Sequence, residues 1–251
     1  MAKRRGRVLD GVLLLDKPVG LSSNHALQRA RRALDAQKAG HTGTLDPFAT
    51  GLLVCCLGRA TKISGAMLNA DKSYLATITF GRETDSGDLT GIVVSEASAE
   101  FAGVSQERLN AVLDSFVGPQ TQIPPMISAL KRDGKPLYEY ARQGIVLERE
   151  PREINIRGIE LLGATAMTAD IHVHCSKGTY IRTLAQDSGR ALGCYAHLSA
   201  LRRTRVGPFV LDGAVELEAL QTMELPESMV IGMNDLPEGL VPPAKNVVSL
   251  H

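Results

Sequence analysis

Residues 12–15 are four apolar positions in a row, stopped by Asp16-Lys-Pro-Val-Gly20, a pattern that predicts a strand running into a turn. Ser22 and Ser23 are suited to cap a helix over about 23–37, with Leu27, Ala30 and Leu34 on one face and Arg29, Arg31 and Arg32 largely on the other. Gly40 is placed to end it. Residues 74–80 alternate Tyr-Leu-Ala-Thr-Ile-Thr-Phe like a half-buried strand, and 81–91, rich in Asp, Gly and Thr, reads as a polar loop. Further helices are predicted over 105–116, 137–143 and 180–192, and strands over 154–162 and 169–175. Strands and helices do not alternate regularly, and the glycine fingerprints of nucleotide-binding folds are missing. The pattern therefore predicts an α+β fold with a mixed, mainly antiparallel sheet.

A chain of 251 residues, 44% hydrophobic and 22% charged, suits one large domain or two modest ones with a core that needs no staples. Four cysteines, two of them adjacent, are too few for a disulfide framework. With no secretory signal in view, they point to reduced thiols and a cytoplasmic setting. No run of 18 apolar residues occurs, which rules out a membrane-spanning helix. Charge divides unevenly. Residues 206–251 hold seven acidic residues and one basic, which leaves 1–205 with 27 basic against 20 acidic, a net of +7. Arginine clusters at 3–7, 29–32 and 202–205 suit a polyanionic partner, and equally suit solvated helix faces. Two units follow: a basic body over 1–205 and an acidic stretch over 206–251, either a stub or a docked extension.

The densest polar loop is Gly40-His-Thr-Gly-Thr-Leu-Asp-Pro-Phe-Ala-Thr-Gly51. Its glycines permit backbone turns closed to other residues, and Pro47 drives Asp46 toward an extended conformation. An aspartate so held could serve as nucleophile or general base, or simply hydrogen-bond its own turn.

This loop resembles the G-H-T-G-x-L-D-P-x-A-x-G-x-L signature of the TruB family of tRNA pseudouridine synthases. So do the blocks over 11–23 (Gly-Val-Leu-Leu-Leu-Asp-Lys-Pro-Val-Gly-Leu-Ser-Ser), 71–75 (Asp-Lys-Ser-Tyr-Leu), 124–144 and 175–183. Five ordered blocks span most of residues 9–205. The resemblance implies a pseudouridine synthase fold, its sheet flanked by helices and loops, and isomerisation of the uridine at position 55 in the T-arm loop of tRNA. It implies no metal or organic cofactor. By the same match Asp46 is the essential aspartate, which could attack C1′, add to the base or remove the C2′ proton. Tyr74 is implied to stack on the flipped base, His41 to fill space around it, and Tyr180 and Leu201 to line the uracil pocket. Arg182 is implied to pair with Asp46 and keep it ionised and oriented. Lys17, Arg29, Arg32, Arg202 and Arg203 then become candidate phosphate contacts.

Two other readings compete. One is a tRNA-binding or tRNA-folding protein without catalysis. The other is a zinc site built from His172, His174, Cys175, Cys194 and His197, although His172 and His174 would face one side of a strand and Cys175 the other. The family resemblance further implies a monomer with tRNA as partner and no protein partner. The 206–251 stretch is too short for the PUA-type module of many bacterial relatives, which predicts a weaker hold on the tRNA acceptor arm.

Overall fold

The computed structural model describes residues 6–240. Most of the basic cluster at 3–7 and the end of the acidic stretch lie outside the described residues. Among the described residues, eleven strands form one sheet: β1 (Gly11–Lys17), β2 (Ala39–His41), β3 (Thr50–Leu57), β4 (Lys72–Phe80), β5 (Gly118–Gln122), β6 (Arg152–Ala164), β7 (Thr168–Cys175), β8 (Ala196–Val206), β9 (Phe209–Val210), β10 (Val215–Glu216) and β11 (Val230–Gly232). Six helices accompany them: α1 (Ser23–Ala33), α2 (Ser64–Asn69), α3 (Gln106–Ser115), α4 (Leu137–Ala141), α5 (Ile181–Ala191) and α6 (Leu217–Thr222). The strand order is β10-β1-β3-β8-β4-β7-β6-β5, with β2 joined to β3, β9 to β8 and β11 to β1. Only the β1–β10 and β3–β8 pairs are parallel, so the sheet is mixed and mainly antiparallel, as the patterning predicts.

The centre of the sheet is covered on both faces. On one, Leu27 and Leu34 around α1 and Leu217 and Leu220 of α6 pack on Leu13, Leu15, Leu53 and Cys55. On the other, Met67 of α2 and Phe209 pack on Val12, Leu52 and Val54. Toward the β6 side, α3 and α5 bury Leu109, Leu113 and Leu184 against Ile171 and Val173. Burial of this continuous apolar interior is the main stabilising term.

Helix α1 stops at Ala33, short of the predicted 37. Asp35 takes a left-handed φ of 46°, and the chain beyond it turns so that Gln37 N–H donates to the Arg7 carbonyl at 2.9 Å. The loop predicted over 40–51 narrows to 42–49, because His41 belongs to β2 and Thr50 opens β3. The described part of the acidic stretch is docked rather than free. Strands β10 and β11 both pair with β1, and α6 shares the α1 core.

Candidate active site

Asp46 stands in the loop 42–49, and that loop is held from several directions. The Ser23 hydroxyl accepts from Leu45 N–H at 2.7 Å and donates to the Leu45 carbonyl at 3.0 Å. The neighbouring Ser22 caps α1, accepting from His25 N–H at 3.2 Å. Gly20 N–H donates to the Pro47 carbonyl at 2.7 Å. Arg203, fully buried on β8, donates from Nε to the Leu52 carbonyl at 2.8 Å and from Nη2 to the Gly43 carbonyl at 3.1 Å. Where β3 meets β8, Gly51 has φ 99°, and a Cβ there would lie 2.3 Å from the Arg203 carbonyl oxygen. Only glycine permits that approach.

The Asp46 carboxylate meets Arg182, the second residue of α5, with Nε 2.9 Å from Oδ2. Arg182 is buried, and its other two nitrogens donate to the Ser86 carbonyl and the Ile127 carbonyl, each at 2.6 Å. The Asp88 carboxylate lies 3.9 Å away. Three separate loops thus converge on one guanidinium. About a third of the Asp46 side chain remains open to solvent. Burial nevertheless pushes its carboxyl above the usual carboxylate value; Arg182 opposes this most strongly, Asp88 reinforces it and Lys17 opposes it more weakly. Arg182 therefore orients Asp46 and moderates the cost of its ionisation, without reversing it.

Tyr74, Arg203 and Gly51 are partners across β4, β8 and β3. Burial pushes the Tyr74 hydroxyl up to about 12, with Arg203 beside it pulling the other way, so it stays protonated at neutral pH. Leu201, Leu45 and Ala49 are buried members of one core cluster, against which Phe48 and Tyr74 pack. Tyr180 precedes α5; its N–H donates to Gln122 Oε1 at 3.0 Å and its carbonyl accepts from Gln122 Nε2 at 3.2 Å. Burial raises the Tyr180 hydroxyl, which feels both Arg182 and Asp46. His41 ends β2, with a buried Nδ1 that has no hydrogen-bond partner; burial, then Arg203, lowers its basicity. The fold thus brings Asp46, Arg182, Tyr74, Tyr180 and Leu201 to one region, with His41 at its edge against Arg203.

Two of the phosphate contacts expected from sequence are corrected. Lys17 is fully buried and its ammonium donates to the Pro18 and Leu21 carbonyls at 2.8 and 2.7 Å, so it holds the turn before α1. Arg203 is equally enclosed and holds the Asp46 loop. Neither can reach a phosphate. Arg202 pairs with Asp16 at 2.5 Å and Arg29 donates to Gln221 at 2.5 Å, while Arg32 is exposed. Gln122 and Asp88 escape sequence reasoning, because single polar residues carry no periodic signal, and Ser23, read there as a helix cap, instead holds the Asp46 loop at Leu45.

The zinc reading has no geometry behind it: among the described residues, no three His, Cys, Asp or Glu side chains come together as a metal site. His174 Nδ1 lies 3.0 Å from the Ser73 hydroxyl, His197 Nδ1 lies 2.9 Å from the Arg82 carbonyl, and Cys175 and Cys194 are in the core. All four cysteines are buried and free. Among the described residues, no helix is long and apolar enough to cross a membrane.

Comparison with known proteins shows what the chain resembles. The TruB family pseudouridylate synthase N-terminal domain matches residues 31–181, and the tRNA pseudouridylate synthase B C-terminal domain matches 182–237. The tRNA pseudouridine synthase B of Bordetella avium is 72% identical over 242 residues, 96% of this chain and 99% of its own length. That of Aromatoleum aromaticum is 55% identical over 231 residues, 92% of this chain and 73% of its own. Among solved structures, a chain in the crystal structure of a Cbf5-Nop10-Gar1 complex superposes with a TM-score of 0.69 at 30% identity, over 92% of this chain and 58% of that one. A chain in the structure of an H/ACA RNP bound to a substrate RNA containing 2′-deoxyuridine gives 0.66 at 27% identity.

Proposed function

Because the chain belongs to the TruB family of pseudouridylate synthases, we propose that it isomerises uridine 55 in the T-arm loop of tRNA, with Asp46 as the essential carboxylate. Pseudouridylation of tRNA is the activity its relatives carry by name, and at 72% identity over nearly the whole of both chains it is the activity of this one. The observation that carries the site assignment is the Asp46–Arg182 contact at 2.9 Å, with Tyr74 and Tyr180 near enough to feel the Asp46 charge.

The reaction breaks the C1′–N1 bond, turns the uracil and forms a C1′–C5 bond. The C5 hydrogen leaves to solvent, and N1 takes up a proton. A loop base must first leave its stack, at a cost of a few kcal/mol. The Tyr74 ring supports stacking worth about 1–3 kcal/mol, which offsets much of that cost. Leu201, Leu45 and Ala49 belong to the buried core on which Tyr74 packs, and Arg182 keeps one carboxylate oxygen of Asp46 engaged so that the other is presented. The protein acts as a monomer in the cytoplasm on this reading, and needs no protein partner.

Position is tested with tritium at uridine C5. An unmodified tRNA transcript should release about one tritium per molecule from position 55, and a transcript with cytidine there should release none. Equal release from both would refute the T-arm assignment.

A further inference from the structure

Residues 123–151 leave the sheet between β5 and β6 and return to it. They hold a short ladder in which Lys131 and Arg132 pair with Pro136 and Lys135, followed by α4. Two cations lie over aromatic rings, Lys135 over Tyr140 and Arg142 over Tyr138. Beneath this exposed, basic surface, Met126 and Leu137 are buried. The start of α4 fixes the backbone preceding the ladder: Leu137 N–H donates to the Leu130 carbonyl at 2.7 Å and Tyr138 N–H to the Ser128 carbonyl at 3.2 Å. The carbonyl between these anchors and Met126 belongs to Ile127, and it accepts from Arg182 Nη2 at 2.6 Å.

That contact lies on the same guanidinium that holds Asp46. Arg182 is 2% exposed, so water has little access to replace a lost acceptor. We propose that the Ile127 carbonyl is a positioning group acting through Arg182, so that docking of residues 123–151 governs the chemical step at Asp46 and not only the hold on RNA. The inference rests on the reading of Asp46 as the reacting carboxylate. Its physical basis is competition for the guanidinium. With Ile127 in place, Nη2 is occupied and Nε points at Asp46. Without it, the guanidinium is free to turn toward Asp88, whose carboxylate waits 3.9 Å from Nε. Asp46 would then lose its strongest stabilising charge. The groups that face it are Arg182 from α5, Asp88 from the loop after Thr84 and Lys17 from β1, with the hydroxyls of Tyr74 and Tyr180.

The test is Leu137→Pro. Residue 137 is the first of α4, where proline is tolerated, and Pro136 already has the φ −63°, ψ 145° that proline requires of its predecessor. The substitution removes the N–H that holds Leu130 and leaves Arg182 and Asp46 untouched. Single-turnover tritium release with enzyme in excess separates binding from chemistry. The expected result is a rate constant at least tenfold lower, half-saturation changed less than threefold, and an acid limb moved to higher pH. In an Arg182→Lys background, where no Nη2 exists to be lost, Leu137→Pro should change the rate less than twofold. Weaker half-saturation with an unchanged rate would overturn the proposal, as would the full tenfold loss in both backgrounds. If circular dichroism shows Leu137→Pro unfolded, Leu137→Ala, which cuts the buried side chain, goes through the same cycle with the same deciding outcomes. A wild-type protein that releases no tritium would instead refute the reading of Asp46 itself.

Discussion

Burial drives Asp46 toward its neutral form, and Arg182 is the largest force against it, so the pair sets the pH range in which the carboxylate is available. Each of the three roles open to Asp46 requires the ionised form. The acid limb of kcat should therefore lie above the ordinary aspartate value of 3.8, and Arg182→Lys should move it higher while lowering kcat by about 10²-fold or more. A limb unmoved by that substitution would mean Arg182 does not act on Asp46. Lys17 gives a second prediction. Its ammonium is held near 8 by burial, below the 10.5 of the unfolded chain. Between those values the unfolded state binds more protons, so this group's contribution to stability rises with pH. Lys17→Met should cost about 2–4 kcal/mol by leaving the Pro18 and Leu21 carbonyls unpaired. The cost should grow between pH 7.5 and 10 in urea melts. Lys17 and Arg203 also mark where charge misleads in a sequence: a Lys or Arg reads as solvated until the fold shows carbonyls around it, and here both enclosed cations hold backbone next to Asp46.

Elements with one wet face are legible in the sequence, and elements with two dry faces are not. Strand β4 alternates from Tyr74 to Phe80 because one side packs on the core while Leu75 and Thr77 face outward. Strand β3 is buried at seven of its eight positions, since α1 and α2 cover opposite sides, and its run of Leu, Val and Cys has no period that separates strand from buried helix. The Asp46 loop was legible as a loop by its glycines and proline, but its register was not, because that depends on β3 lying parallel to β8 at Gly51. Gly51→Ala should cost about 2 kcal/mol or more, measured as a lower urea midpoint at unchanged slope, through both the φ of 99° and the clash with the Arg203 carbonyl. A midpoint within error of wild type would show the β3–β8 approach to be looser than the structure has it.

At the scale of the whole molecule, charge is sorted by docking. The described part of the acidic stretch is bound to β1 through β10, β11 and α6, where Arg7 meets Glu227 and Arg29 meets Gln221. Its attachment was not legible, because two- and three-residue strands carry no periodicity. Residues 1–205 carry an excess of +7, a balance that favours an RNA backbone. Affinity for tRNA should therefore fall by about tenfold or more between 50 and 200 mM salt, while the rate at saturating enzyme stays constant. A salt-independent affinity would contradict a phosphate-led interface. The proposed reaction turns on one carboxylate, and the decisive measurement is tritium release from C5-labelled uridine in an unmodified tRNA transcript, comparing the wild type with Asp46→Asn. Release by the wild type, with loss of at least 10³-fold in an Asp46→Asn protein that still binds the tRNA, is the predicted result. Comparable release by both would contradict it.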